Sequence, residues 1–383
     1  MIKLSLDDLT NSKYIDINKI MHQPYFVQTQ QWAKFWQLAN PINHLYDIIE
    51  VQNDGFWLSF LICQYPWHFG QKLWYISKGG VLTNIKGEIN NWSSISKNEL
   101  ENILISLIRK VNSEAKKKNI TYIKYDFEEE LIAKLELTQN TDMLCWLKAR
   151  INPKTILSDK IIQFLATMTL SFEPILKIQP IQDYNKENLS KLWDDTKEFW
   201  NKANNNVKRY TKKSIEKDWT ISTEKTQTNF EKFFKIYNYT KDIRHFAIQS
   251  RDYLEKLFDQ DFSKIIILSD SDGEPHCVWF GIQIGNTLTY LYGGNTTKSF
   301  DHYGQYLVHL VALNLGLMNK AKFYDLGGYD PHKGYGKFKD NYKGIIRTFA
   351  GPFDIPINRL KYDTINAIIH IIKKLKLVLK KQP

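Results

Sequence analysis

The stretch KIIILSDSDGEPHCVWFGIQIGNTLTYLYGG, residues 264–294, decides the fold of this 383-residue chain. Short runs rich in Ile, Val, Trp, Tyr and Thr are cut by the turn sequence Ser271-Asp272-Gly273, so the segment predicts consecutive antiparallel strands. Apolar residues then recur at helical spacing from about Gly304 to Asn319, and FYDLGG at 323–328 predicts a returning strand. An earlier stretch has the same grammar. HLYDIIEVQ, FWLSFLICQYPW and KLWYISKGGVL, between residues 44 and 82, predict a β-meander whose first turn is Asn53-Asp54-Gly55. Leu100, Ile103, Leu104, Leu107, Ile108 and Val111 predict a helix over 97–118, and TYIKYDFE at 121–128 predicts the strand after it. Two halves that share meander, helix and returning strand predict two related domains of the α/β (α+β) class. Between them, residues 152–160 are poorly patterned, EPILKIQP at 173–180 predicts a short strand, and helical patterns cover 189–200, 207–217, 229–239 and 251–257.

Composition narrows the partners. Fifty-two Lys and Arg against forty-one Asp and Glu give a net charge of +11, which suits nucleic acid, phosphorylated molecules or anionic lipid. The same excess also follows from a Lys-, Asn- and Ile-rich composition. Cys63, Cys145 and Cys277 are odd in number and widely spaced, which speaks against a disulfide framework or zinc ribbon and fits a reducing cytoplasm. The first twenty residues lack the continuous apolar region of a signal peptide, and no run reaches the roughly 20 apolar residues of a membrane span. A cytoplasmic protein is expected. Near the C-terminus, Ile365, Ile368, Ile369, Ile372, Leu375 and Leu379 fall on one helical face beside Lys373, Lys374, Lys376, Lys380 and Lys381, so a helix over 364–381 packs on a domain or lies on an anionic membrane.

Three motifs are candidates for chemistry. In YDLGGYDPHKGYGKFKDNYKG, residues 324–344, a strand runs into five glycines alternating with aromatic and basic residues, a turn that lets a ligand approach the backbone. It is no Walker loop, because Gly336-Lys337 is followed by Phe338. On NNNVKRYTKKSIEK, Lys208, Arg209, Lys212 and Lys213 group cations on neighbouring helical turns, either a phosphate-binding face or a solvated one. In WYISKGGVL, Ser77 and Lys78 end a strand, at a ligand or a plain turn. His-Glu-x-x-His, Gly-x-Ser-x-Gly and a Gly-x-Gly-x-x-Gly after a strand are absent. Asp325, Asp330 and His332 are the residues a metal would draw on, and none is expected there.

Taken together these residues resemble the FemABX family, non-ribosomal peptidyltransferases that extend peptidoglycan side branches from aminoacyl-tRNA. The resemblance rests on FVQTQQWAKFWQ, WYISKGGVL, TYIKYDFE, VKRYTKK, YNYTKDIRHFAIQSRDYLEKL, TYLYGGNT and above all FYDLGGYD followed by GYGKFKDNYKG. It implies two tandem domains similar to GCN5-related acetyltransferases, with residues 1–164 and 351–383 forming the first, which holds the acceptor cleft, and 165–350 the second. It implies an aminoacyltransferase, with no cofactor and with aminoacyl-tRNA as co-substrate, that acts on the side-chain amine of UDP-MurNAc-pentapeptide or lipid II and builds the interpeptide bridge. A monomer is expected, with no room for the coiled-coil arm of some members.

By residue, the resemblance places Phe338 and Lys339 in the catalytic centre, where an ammonium would stabilise the oxyanion of acyl transfer. Asp126 takes the acidic position of the acceptor cleft, orienting or deprotonating the amine. Lys34, Arg209 and Lys212 or Lys213 would hold an acceptor diphosphate, with Ser77, Lys78 and Tyr292 lining the cleft. Trp36 stands where a relative has a second lysine. Competing readings are an acyl-CoA-dependent N-acyltransferase, which lacks its usual loop here, and a non-catalytic RNA or membrane-surface binding protein.

Overall fold

The computed structural model describes residues 25–39, 46–53, 56–84, 94–137, 140–158 and 166–379. The Asp54-Gly55 turn lies outside them. By internal contacts the chain forms two units, Met1–Leu165 with Thr348–Pro383, and Ala166–Arg347. The strands in chain order are β1 (Tyr46–Asn53), β2 (Phe56–Pro66), β3 (Lys72–Gly79), β4 (Val81–Asn84), β5 (Tyr122–Glu128), β6 (Ile156–Leu157) and β7 (Ala166–Ser171). They continue with β8 (Thr220–Ser222), β9 (Ser263–Ser269), β10 (Pro275–Ile284), β11 (Thr287–Asn295), β12 (Phe323–Gly328) and β13 (Ile345–Pro356).

In the first unit the sheet order is β1-β2-β3-β5-β13, with β4 on β2 and β6 on β13. β1, β2 and β3 form the antiparallel meander, and β5 returns parallel to β3. The crossover is the helix Lys97–Lys117. Its start is fixed by a capping box in which Ser96 and Glu99 satisfy each other's backbone N–H groups. Its stripe Leu100, Ile103, Leu104, Leu107, Ile108, Val111 and Ala115 is fully buried against Phe60, Ile76, Tyr125 and Phe127 of the sheet. The buried pair Lys124 and Asp354 links β5 to β13, with Ser158 and the Tyr362 hydroxyl completing its hydrogen bonds.

The second unit repeats the scheme in the order β8-β9-β10-β11-β12-β7. β9, β10 and β11 are the antiparallel meander, and β12 is parallel to β11 through the register Thr287↔Phe323 to Thr289↔Asp325. The crossover helix Gly304–Met318 is apolar on nearly all sides and buried along Leu307, Leu310, Val311 and Leu313, as a helix in the middle of a core must be.

Four expectations change. EPILKIQP is no strand: Pro174 has no N–H for a ladder and fixes its φ, so Glu173–Ile175 forms a short 3-10 turn, and the strand is the preceding ATMTLS. The helix expected over 189–200 is Lys186–Asp195, started by the Asn185 cap. The glycine-rich turn closes into a seven-residue helix, Gly334–Asp340. Finally, the helix near the C-terminus runs from Arg359 to Leu379, and its apolar residues divide between two stripes. Tyr362, Ile365 and Ile369 are buried, whereas Ile368, Ile371, Ile372 and Leu375 are exposed. Among the described residues, no helix is long and apolar enough to cross a membrane.

Candidate functional site

In the second unit the glycine-rich motif folds around Lys339. β12 ends in Asp325-Leu326-Gly327-Gly328, and Gly327 has a φ of +76°. A Cβ there would meet the Tyr290 carbonyl oxygen at 2.4 Å, so only glycine fits. The Asp325 carboxylate accepts the Gly327 N–H at 2.7 Å and fixes this bend. Gly328 then presents its carbonyl oxygen to the Lys339 ammonium, which donates to it at 2.6 Å. Gly336 supports the helix that carries Lys339, since a Cβ at that position would fall 1.8 Å from the Asp330 carbonyl oxygen.

Lys339 is only 7% exposed, and burial lowers its pKa to about 8 against the opposing pull of Asp325. Asp325 is buried as well; the same desolvation raises its carboxyl to about 6, offset by the Gly327 N–H and the charges of Arg347 and Lys339. Beneath them the Trp279 indole N–H donates to the Tyr324 hydroxyl at 3.0 Å. That hydroxyl lies 2.6 Å from His309 Nδ1. Burial, and secondarily Lys339, pull His309 down to about 3, which keeps it neutral. The half-buried Phe338 ring packs on Tyr306, His309 and Tyr342 at centroid distances of 5.2, 5.7 and 5.5 Å. It anchors the short helix to the core.

Tyr292 is not brought to Lys339. The register of β10 and β11 slips between Phe280↔Tyr292 and Gly281↔Tyr290, leaving Leu291 as an extra residue that reverses the faces. Tyr290 therefore stacks on Trp279 and lies 5.9 Å from Lys339 Nζ, while Tyr292 packs on Tyr237 and Phe280. Burial raises the Tyr292 hydroxyl to about 12. Arg209, Lys212 and Lys213 are exposed on the helix Asn205–Ile215, whose opposite side buries Val207, Thr211, Ser214 and Ile215. Arg209 donates to the Tyr210 hydroxyl at 2.7 Å, and Tyr210 stacks on Tyr303 with Lys213 Nζ 5.8 Å from the latter ring.

In the first unit Asp126 on β5 is buried, and its Oδ2 accepts from the Tyr75 hydroxyl and lies 3.4 Å from Lys78 Nζ. Its Oδ1 is buried with no hydrogen-bond partner among the described residues. Burial raises the Asp126 pKa and lowers that of Lys78. Lys78 adopts a left-handed φ of 51° and sets its ammonium 4.0 Å from the Phe349 ring centroid. Ser77 is buried, and its carbonyl accepts from Gln28 Nε2 at 2.7 Å. Gln28 also exchanges two hydrogen bonds with Leu61 of β2, tying the FVQTQQW segment to the sheet. Lys34 is half-buried on the helix Gln30–Ala39 that follows.

Asp126, Lys78 and Ser77 thus share one neighbourhood in the first unit, and Lys339 and Phe338 share another in the second. Sequence reasoning missed Tyr75, Tyr290 and the pairing of Asp325 with Lys339. Alternation along KLWYISK would have placed Tyr75 and Ser77 on one face; the bulge that selects Tyr290 leaves no mark in the sequence. Among the described residues no group of three or more His, Cys, Asp and Glu is placed to hold a metal. Asp325 serves Gly327, and Asp330 accepts the His332 N–H at 2.9 Å.

Comparison with known proteins finds structures of similar fold and a family match over part of the sequence. Residues 277–370 match the FemAB family. Over 95% of this chain and 99% of the other, the fold is similar to a crystal structure of FemX, with a TM-score of 0.64 at 15% identity. A conserved protein of unknown function from Bacteroides thetaiotaomicron is similar over 93% of this chain and 98% of the other, with a TM-score of 0.50 at 12% identity. A tandem GNAT protein from the clavulanic acid biosynthesis pathway is more distant, with a TM-score of 0.41 at 8% identity over 86% and 94% of the two chains. No curated protein sequence matches. The protein has a mixed α/β fold similar to that of FemX.

Proposed function

We propose that the protein transfers an amino acid from aminoacyl-tRNA to the side-chain amine of a peptidoglycan precursor peptide, either UDP-MurNAc-pentapeptide or lipid II. The observation that carries this reading is Lys339, a nearly buried ammonium held by the Gly328 carbonyl and still mostly protonated at neutral pH.

In the proposed step the acceptor nitrogen attacks the ester carbonyl carbon. A C–N bond forms, the carbonyl electrons move to oxygen, and the C–O bond to the tRNA ribose then breaks. The proton lost by the amine ends on the departing ribose hydroxyl. The Lys339 ammonium stabilises the intermediate oxyanion, and its water-poor setting makes that stabilisation large. No enzyme nucleophile is needed because the ester is already activated. Asp126 supports the acceptor half of the reading: its buried, unpartnered Oδ1 suits an incoming ammonium, and its raised pKa suits a group that takes up a proton. Arg209, Lys212 and Lys213 supply exposed cations for phosphates, whereas Tyr292 has lost its place in the proposal to Tyr290.

The test incubates purified protein with charged tRNAs and either UDP-MurNAc-pentapeptide or lipid II, with the product read by mass. A gain of one amino-acid residue, dependent on the charged tRNA, is the expected result. Failure of every charged tRNA with both acceptors sinks the proposal.

A further inference from the structure

The helix Arg359–Leu379 carries two apolar stripes, and among the described residues only one is buried. Tyr362, Ile365 and Ile369, at i, i+3 and i+7, are buried on the first unit. There Tyr362 stacks with Trp67 and donates to Asp354 at 2.7 Å. Ile368, Ile371, Ile372 and Leu375, at i, i+3, i+4 and i+7, form a second stripe that faces solvent, with Ile371 56% and Leu375 57% exposed. Leu360, 78% exposed, extends this side toward the start of the helix. A helix held in place by its inner stripe has no need of Ile and Leu at four successive outer positions. Such a row marks a docking surface.

Charge states what docks. Residues 359–383 contain seven Lys and Arg, namely Arg359, Lys361, Lys373, Lys374, Lys376, Lys380 and Lys381, against the single Asp363. More than half of the +11 net charge therefore resides in this short segment. A second copy of the same face would bring the cations together and repel. Nucleic acid would use the cations and leave the Ile and Leu side chains wet. An anionic bilayer surface takes both, with headgroup phosphates drawn by the net charge of the segment and the acyl boundary receiving the outer stripe. The helix is too polar to cross, so it lies in the interface.

We propose that the outer face of the helix Arg359–Leu379 is a docking surface for anionic phospholipid bilayers. The proposal does not depend on the reaction the protein catalyses, and its failure would leave the aminoacyl-transfer reading intact.

Co-sedimentation of the full chain with vesicles tests it. Vesicles of phosphatidylcholine with about one third phosphatidylglycerol should pellet the protein at ~0.1 M salt, and pure phosphatidylcholine vesicles should bind at least about tenfold less. The double variant Ile371→Ser, Leu375→Ser alters only exposed positions and should weaken binding to the anionic vesicles by about tenfold or more. Lys373→Gln with Lys374→Gln should weaken it about fivefold per cation and flatten its salt dependence. Equal binding to neutral and anionic vesicles overturns the proposal, as does no binding to either. Unchanged binding of the serine variant with the thermal midpoint of the parent also overturns it. Analytical ultracentrifugation closes the remaining route: a dimer abolished by the serine variant would assign the face to self-association instead.

Discussion

The ammonium of Lys339 donates to the carbonyl oxygen of Gly328 at 2.6 Å, joining a seven-residue helix to the end of a strand eleven positions earlier. That bond holds a cation where little water reaches it. Lys339→Met keeps the length and apolar stem but removes the charge. If the cation acts on the oxyanion, kcat for aminoacyl transfer should fall by about a hundredfold or more while acceptor KM changes little. Steady-state kinetics with a mass-read product separates the two parameters, and an equal rise in KM would assign Lys339 to substrate anchoring.

The Lys339 pKa of about 8 predicts the alkaline side of the pH profile. Activity should decline above pH 8 as the ammonium is lost. Asp325 raises that pKa, so Asp325→Asn should move the decline to lower pH. Measuring kcat from pH 6 to 9 for both proteins checks the shift and its direction.

Asp325 also makes a prediction about stability. Its folded pKa of about 6 lies above the ordinary value of 3.8, so the folded state binds the proton more tightly than the unfolded one. Stability is therefore lost as pH rises from about 4 through 6, by roughly 3 kcal/mol from a shift of about two units. Asp325→Asn has no such titration. The difference in denaturant stability between the two proteins should move in favour of the variant over this window and then level off. A constant difference from pH 4 to 7 would contradict the assignment.

The two helix glycines are expected to behave oppositely. At Gly336 a Cβ would press into the Asp330 carbonyl oxygen, whereas at Gly334 it meets nothing within 4 Å. Gly336→Ala should cost about 2 kcal/mol or more and reduce activity by displacing Lys339. Gly334→Ala should be neutral or slightly stabilising, because alanine favours the helix by up to about 1 kcal/mol. Thermal melts of the two single variants decide this.

Asp126 pairs with the buried Lys78, which Glu128 also attracts, so removing it takes away one of the acidic neighbours of a buried ammonium. Asp126→Ala should destabilise the protein by about 3–5 kcal/mol. Tyr75→Phe, which deletes one donor to Asp126, should cost about 1–2 kcal/mol. Urea titrations rank the two.

Much of this architecture could be read from residue order. Period-2 runs and turn residues located both meanders, and the spacing of Leu100 through Val111 located the first crossover helix, because these signals are local. EPILKIQP misled because Leu176 and Ile178 alternate with Lys177 and Gln179 just as a strand's residues would, while the deciding factor was the missing N–H of Pro174. The outer face of the Arg359–Leu379 helix was read as one with its inner face, since sequence gives the angular position of a side chain but not the width of the surface that receives it. Lys339 stood out through the glycines around it. Its partner Gly328, and Tyr290 beside it, depended on a bend at Gly327 and a bulge at Leu291 that only tertiary packing selects.

Strand β13 pairs with β5 in the register Phe349↔Glu128 to Pro356↔Tyr122, across the whole length of the intervening unit. During synthesis the ribosome delivers β5 early and β13 late, so the first sheet waits with one edge open while residues 166–347 emerge and fold as a contiguous piece. The second unit is thus the first to be finished. A nonsense codon shortly after Arg347 would spare it and instead unmake the unit that was translated first, a distant injury that the linear map of the gene would not suggest.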